Sequence, residues 1–478
     1  MHRETEKITE IVLKAARKAR RETQDTPEAK TISRINWPLD CTVGPGLEGA
    51  IACETKIGFV NGTRGELTYC GYDIFDLCAY STFEEVSYLL LYGRLPTEKQ
   101  LESFKAKLLA ARSLPHTLRM LMGFPLEQMH PMACLRLGTN LMRQRLTWQD
   151  SDAARPKSVR AIAADEDSIP METLPKGEEK AIYEFKKAKA ERPAEVPVGT
   201  TDAAGRAACI HLISGLATIS AAVARVREHR LPIEPDPELG HAANFLYMMT
   251  GKRPTAEQER IMDIALILHA DHGMNASTFA SMVVASTLSD VYFSIGSGIA
   301  ALSGPLHGGA NEAVLVMLEK IGHPDNVDEW FEKAMRRKKK ITGMGHRVYK
   351  TYDPRARILG PLAGYVAKHD KDAALLLRIA RRLEKRVVAT LGKEKGIFPN
   401  VDFYSGIIYK SMGIHRNMFT PVFAVSRVAG WTARVHEYLK KNRIFRPRAL
   451  YVGEFGKEYS DVSVREKPAA KKARASRA

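Results

Sequence analysis

The apolar positions of this chain recur mainly with helical spacing. Residues 1–36 are charged, with a short amphipathic pattern through Ile8, Ile11, Val12, Leu13 and Ala16. Such an arm is expected to be helical only when it docks on something. From Thr55 the period changes. Ile57, Phe59 and Val60 precede Asn61-Gly62, and Leu67 and Tyr69 follow Gly65. Asn-Gly between such runs predicts a β-hairpin, because both residues accept the backbone conformation of a tight turn. No other stretch predicts a sheet. Ser81-Thr82-Phe83-Glu84-Glu85 offers two overlapping capping boxes ahead of an apolar helix through Leu91. Helices then run to about Thr147, punctuated by Pro115 and Pro131. Asp236-Pro237 predicts an N-cap with proline at the first helical position, opening a helix to Met249. Thr255 and Gln258 box another, apolar through Ile261, Ile264, Ala265 and Leu268 to His269. Residues 276–302 are rich in Ala, Ser and Gly, which lets helices approach closely. Further helices are predicted over 313–321, 356–367, 372–391 and 421–440.

Two segments break the pattern. Residues 151–203 carry Asp165-Glu166-Asp167, Lys186-Lys187 and five prolines with little apolar periodicity, and read as a surface insertion. Residues 465–478 hold six Lys or Arg against one Glu and read as a disordered basic tail. The fold class expected is mainly α, with a small N-terminal hairpin.

Composition narrows the class. A chain of 478 residues, 45% apolar and 27% charged, is an ordinary soluble protein of more than one domain. The most apolar stretch, 279–302, carries Asp290 and five serines, so it predicts buried helices rather than a membrane span. Lys7, Lys14, Arg17 and Lys18 interrupt the apolar residues near the start, which excludes a secretory h-region there. The six cysteines show no CxxC or metal spacing and are expected to be reduced thiols of a cytoplasmic protein. The net charge of +17 would suit nucleic acid, anionic membranes or anionic metabolites, but part of it sits in the tail.

The candidate chemistry lies in polar residues at turns inside apolar surroundings. These are His269, Asp271 and His272; His307 in Gly304-Pro305-Leu306-His307-Gly308-Gly309; His346, Arg347 and Arg355; Asp402; Arg427; and Arg446-Pro447-Arg448. Singly, each has a bland reading: a core histidine, a solvated arginine, or, for Asp402, the cap of a helix near Tyr404. Together they suit a carbon–carbon bond formed between an enolate and an anionic keto acid. A buried Asp402 would be a credible general base. His307, just ahead of a helix, would face its positive end, stay neutral and donate a hydrogen bond. His346 can polarise a second carbonyl, and arginines clamp carboxylates. A His/Asp metal site is the rival reading, against which stands the absence of HExxH or paired-ligand spacing.

The chain resembles the citrate synthase family from about Gly46 to Gly453. The resemblance rests on Leu268-His269-Ala270-Asp271-His272 with Asn275-Ala276-Ser277-Thr278, Gly304–Glu312, Gly345-His346-Arg347-Val348-Tyr349 with Asp353-Pro354-Arg355, Asn400–Gly406, and Arg446-Pro447-Arg448. It implies that Asp402 removes a methyl proton of acetyl-CoA while His307 hydrogen-bonds the thioester oxygen. It implies that His346 polarises the keto group of oxaloacetate and acts as general acid, and that citryl-CoA is then hydrolysed. His272, Arg355 and Arg427 would bind oxaloacetate, with Arg446 reaching in from the other subunit of a homodimer. Lys339, Lys340, Ile341, Thr342 and Gly343 would contact coenzyme A, and Arg336, Arg337 and Lys338 would attract its phosphates. No metal and no cofactor beyond the thioester substrate is implied, and no specific nucleic acid or membrane partner. The implied division is an arm at 1–36, a large helical domain at 37–274 carrying the insertion, a small domain at 275–413, a return to the large domain at 414–455 and a tail at 456–478. One departure is Cys70, where many bacterial relatives carry arginine. The alternatives are 2-methylcitrate synthase, using propionyl-CoA, and a non-catalytic helical scaffold or nucleic-acid binder.

Overall fold

The computed structural model describes residues 3–28, 37–154, 202–368 and 370–456, with 459 and 462. The predicted insertion and basic tail lie almost wholly outside them. The described residues are mainly α, as the periodicity predicts.

Helix α1 (Arg3–Glu22) docks, and therefore forms. Ile8 and Val12 are fully buried and Ala15, Ala16 and Ala19 nearly so, a stripe at helical spacing. Ile8 and Val12 each contribute roughly 1.5–3 kcal/mol on full burial. The hairpin is β1 (Gly58–Asn61) and β2 (Glu66–Tyr69), with Gly58 opposite Tyr69 and Asn61 opposite Glu66. A short third strand, β3 (Tyr72–Asp73), adds to β2 through a turn at Cys70 and Gly71, both with positive φ. Two residues are too few for a period-2 signal, so this strand has no signature in the sequence. The Cys70 thiol faces the Leu89 carbonyl, 3.5 Å away.

The next helices are α2 (Ile74–Tyr80), α3 (Phe83–Tyr92), α4 (Glu98–Ala110), α5 (Pro115–Leu121), α6 (Pro131–Ala154), α7 (Asp202–Arg227), α8 (His241–Thr250) and α9 (Ala256–His269). Thr82 caps α3, but its reciprocal box does not form, because the Glu85 carboxylate accepts from the Ser81 hydroxyl instead. The box at α9 forms in full. The helix predicted from Asp236 starts instead at His241. There the carboxylate of the buried Glu84 accepts the His241 N–H at 2.7 Å, doing the work of a cap, while Asp236 caps only a turn through Glu238. Helix α7 is long and apolar enough to cross a membrane, but 83% of that apolar window is buried in this fold. It is a core helix.

Residues 276–302 form two helices, α10 (Ala276–Ser286) and α11 (Val291–Leu302), split where Asp290 caps the second. They pack against each other and onto α6, α7 and α17 (Phe419–Leu439). Between come α12 (Ala310–Ile321), α13 (Val327–Arg336), α14 (Pro354–Val366), α15 (Lys371–Val387) and α16 (Asp402–Ser411), which pack chiefly on one another. Helix α17 runs through the core: every residue from Phe419 to Val435 is buried. The six cysteines are unbridged.

Candidate active site

His272 follows the end of α9, and its surroundings are built around Asp271. The Asp271 carboxylate is fully buried and takes two 2.7 Å bonds from Arg434 of α17. It also accepts the Gly273 N–H at 3.1 Å, while Tyr69 bonds its backbone. Asp271 is thus a brace, not a reactive group. The imidazole of His272 bonds the Tyr349 hydroxyl at 3.1 Å through Nε2, and its ring lies 5.1 Å from that of His346. Burial first, then Arg355, holds its pKa well below the usual range. His269 is a core residue: Nδ1 bonds the Ala265 carbonyl at 2.7 Å and the ring packs edge-on to Phe423.

The loop carrying His346 is stitched to the start of α16. Gly345 N–H donates to the Phe398 carbonyl, Asn400 N–H donates to the Gly343 carbonyl, and the Asn400 side chain donates to the Gly345 carbonyl. Gly343 has φ +79°, and a Cβ there would lie 2.6 Å from Val314, so only glycine lets the loop press this close. His346 Nδ1 accepts two backbone N–H groups, from Val348 at 3.0 Å and Tyr349 at 3.2 Å. The proton must therefore reside on Nε2. Burial, then Arg355, lowers its pKa to about 4, so this imidazole is a neutral donor at pH 7.

His307 shows the mirror case. Its Nε2 accepts the Ser277 N–H at 3.3 Å and lies 2.8 Å from the Ser277 hydroxyl, which leaves the proton on Nδ1. The helix end it faces is that of α10, not that of α12, which follows it in sequence. The lowering of its pKa to about 4 comes from burial first and then Arg427.

Asp402 is the first residue of α16, and the bland reading of it as a cap fails. The cap-like bond comes from Asn400, whose side-chain oxygen accepts the Asp402 N–H at 3.0 Å. The Asp402 carboxylate is buried and its Oδ1 has no hydrogen-bond partner. Burial raises its pKa to about 7, moderated by Arg355 and Arg427. Those two arginines connect the constellation. Arg355, paired with Asp353 at 2.9 and 2.7 Å, acts on His272, His346 and Asp402. Arg427 acts on His272, His307 and Asp402, holds the His269 carbonyl and stacks 4.6 Å over Phe423. Burial, then repulsion from Arg355, lowers the Arg427 pKa to about 10. The two guanidinium groups, of which Arg355 is neutralised by Asp353, thus lie close enough to repel each other.

Lys339 and Lys340 are exposed while Ile341 and Gly343 are buried. Residues 336–340 therefore form a cationic ramp at the end of α13, leading to the His346 loop. Arg446 is not brought to the site within one chain; it lies exposed in the segment after α17. Sequence reasoning did not assign roles to Ser277, Tyr349, Asp353 and Asn400. All four lie inside the motifs quoted above, but their contacts are side chain to backbone or across the fold, and spacing does not reveal them.

A buried acid, Asp402, and two neutral imidazoles, His307 and His346, thus lie within the electrostatic reach of Arg355 or Arg427. Residues 46–448 match the model of the citrate synthase C-terminal domain. The chain is 40% identical to the citrate synthase of Deinococcus radiodurans over 424 residues, covering 89% of this chain and 99% of that one. It is 39% identical to that of Synechocystis, covering 88% and 93%. Among solved structures, the citrate synthase of Thermotoga maritima superposes with a TM-score of 0.71 at 36% identity, covering 89% of this chain and all of that one. The citrate synthase of Thermoplasma acidophilum, in ternary complex with carboxymethyl coenzyme A and oxaloacetate, superposes at 0.73 and 32% identity over 89% of this chain and all of the other. The chain belongs to the citrate synthase family, and it is an acyltransferase.

Proposed function

We propose that the chain condenses acetyl-CoA with oxaloacetate and hydrolyses citryl-CoA to citrate and coenzyme A, with Asp402 as the base. The observation that carries this reading is the Asp402 carboxylate, buried, unbonded at Oδ1 and poised to titrate near pH 7. It takes a methyl proton from the thioester. Nδ1–H of His307 donates to the thioester oxygen as negative charge gathers there. The new carbanion attacks the keto carbon of oxaloacetate, whose oxygen takes its hydrogen bond, and then its proton, from Nε2–H of His346. His272, Arg355 and Arg427 hold the two carboxylates, and residues 336–343 hold the phosphates and backbone of coenzyme A. The ternary complex of the Thermoplasma relative supports both ligands.

Of the small domain expected at 275–413, helices α12 to α16 pack chiefly on one another and form the part that closes over oxaloacetate and excludes water until the carbon–carbon bond exists. The enzyme works as a homodimer in the cytoplasm, with the partner copy supplying Arg446. The exposed Ile444, Leu450, Val452 and Phe455 around that arginine support a segment that a second copy covers.

The reading is tested by measuring kcat/KM for acetyl-CoA and propionyl-CoA with oxaloacetate. The expected result is a preference for acetyl-CoA of about 10-fold or more, the discrimination one methylene provides. A clear propionyl-CoA preference would make the enzyme a 2-methylcitrate synthase. No thiol release with either substrate would return it to a scaffold.

A further inference from the structure

Helix α1 lies outside residues 46–448, which match the family model, yet it packs on α2, α9 and α14. Helices α2 and α9 fall in the large domain expected at 37–274, and α14 in the small one expected at 275–413, so the arm crosses the divide between them. Its last residue, Glu22, makes the link to α14. The Glu22 carboxylate pairs with the Arg357 guanidinium. The Arg357 side chain is only 8% exposed, and it stacks 4.5 Å over the Tyr352 ring. Tyr352 in turn packs against Phe398, whose carbonyl accepts the Gly345 N–H. Just past the helix, the Thr26 carbonyl accepts a 2.7 Å bond from Arg64 in the hairpin turn. That turn takes the Lys350 N–H on the Gly62 carbonyl at 2.9 Å, and a Cβ on Gly65 would come within 2.6 Å of the Tyr352 carbonyl oxygen. The loop from His346 to Arg355 is therefore held between the hairpin and the end of the arm.

Arg355 and Arg357 stand about 200° apart around the axis of α14. Arg355 turns to Asp353, and Arg357 turns to the arm. A nearly buried guanidinium stripped of its carboxylate is costly where it stands. Glu384 is the acid it would move toward: it lies beside Tyr352 and accepts the Tyr404 hydroxyl of α16. Such a move carries the first turn of α14 with it. We propose that Glu22 and Arg357 are positioning residues for oxaloacetate binding: their pair ties the arm to one side of α14 and so holds Arg355, on the other side, where it meets a substrate carboxylate. The inference rests on the role proposed above for Arg355.

The test is kinetic, on full-length Glu22→Gln, Glu22→Arg, Arg357→Glu and the charge-swapped double variant. Glu22→Gln is expected to raise KM for oxaloacetate about three- to fivefold, the upper range for a pair with one solvated partner, with kcat within about twofold of wild type. Glu22→Arg and Arg357→Glu are expected to raise it further, and the swap to bring it back to within about twofold of wild type. Arg20→Gln, which cuts the 3.6 Å contact of α1 with Asp76 of α2, is expected to leave KM unchanged. Wild-type KM in Glu22→Gln overturns the proposal, as does a loss confined to kcat. An equal rise in Arg20→Gln, or no recovery in the swap, also overturns it, since the effect would then belong to the docking of the arm as a whole. If Arg357→Glu does not fold, Glu22→Gln decides on the same split between KM and kcat. Wild-type KM for oxaloacetate in Arg355→Ala would instead bring down the reading of the site itself.

Discussion

Asp402→Asn is expected to lower kcat by about a hundred- to ten-thousandfold, the range of a lost general base, while oxaloacetate binding measured by calorimetry stays within a few fold. The amide has the shape of the acid but cannot take the proton. The wild-type enzyme should lose kcat/KM for acetyl-CoA as pH falls through about 7, where burial has placed the Asp402 pKa. His307 and His346, lowered to about 4, stay neutral across that window and do not contribute to the limb. The same substitution carries a stability signature of fixed sign. A carboxyl whose folded pKa lies above its unfolded value binds more protons in the native state, so it stabilises the fold less as pH rises between those values. Asp402→Asn should therefore melt above wild type at pH 8, with the gap closing toward pH 5. An acid limb with its midpoint below 5, or a variant that melts lower at pH 8, would contradict this electrostatic account.

The second large effect lies one residue before His272, the histidine proposed to bind oxaloacetate. Asp271 and Arg434 are both buried and joined by two 2.7 Å bonds. Asp271→Ala would strand the guanidinium without its partner, at a cost of about 3–5 kcal/mol in urea denaturation. Replacing both, as Asp271→Ala with Arg434→Met, should recover much of that loss, because the penalty belongs to the unpaired charge rather than to the missing pair. Asp271→Ala should also raise KM for oxaloacetate, since the Gly273 N–H that sets the turn after His272 loses its acceptor. A loss below about 1 kcal/mol would mean the pair behaves like a solvated surface bridge.

These two residues also mark how far a sequence can be read. Periodicity located most helices within a few residues, because amphipathic stripes such as Ile8 to Ala19 are local. The Asn61-Gly62 signal located the hairpin for the same reason. It failed where a distant side chain intervened: Glu84, on α3, caps α8 and moves its start from Asp236 to His241. The His307, His346 and Asp402 candidates were legible because turns rich in glycine or asparagine hold them. Their protonation states were not. Those depend on Ser277, on the Val348 and Tyr349 amides and on the depth of α16, which only the folded chain brings together. The helix end that faces His307 was assigned to α12, its neighbour in sequence. In space it is α10. Asp271 stood among the candidates because nothing in the sequence shows that Arg434, 163 residues away, pairs with it.

The most direct measurement is hydrogen exchange at the thioester methyl, followed by proton NMR of acetyl-CoA in deuterium oxide with malate present. Malate has the two carboxylates but no keto group to attack, so proton removal is isolated from bond formation. The expected result is washout by wild type and by His346→Ala, and none above background by Asp402→Asn. Washout by Asp402→Asn at the wild-type rate would show that another group takes the proton.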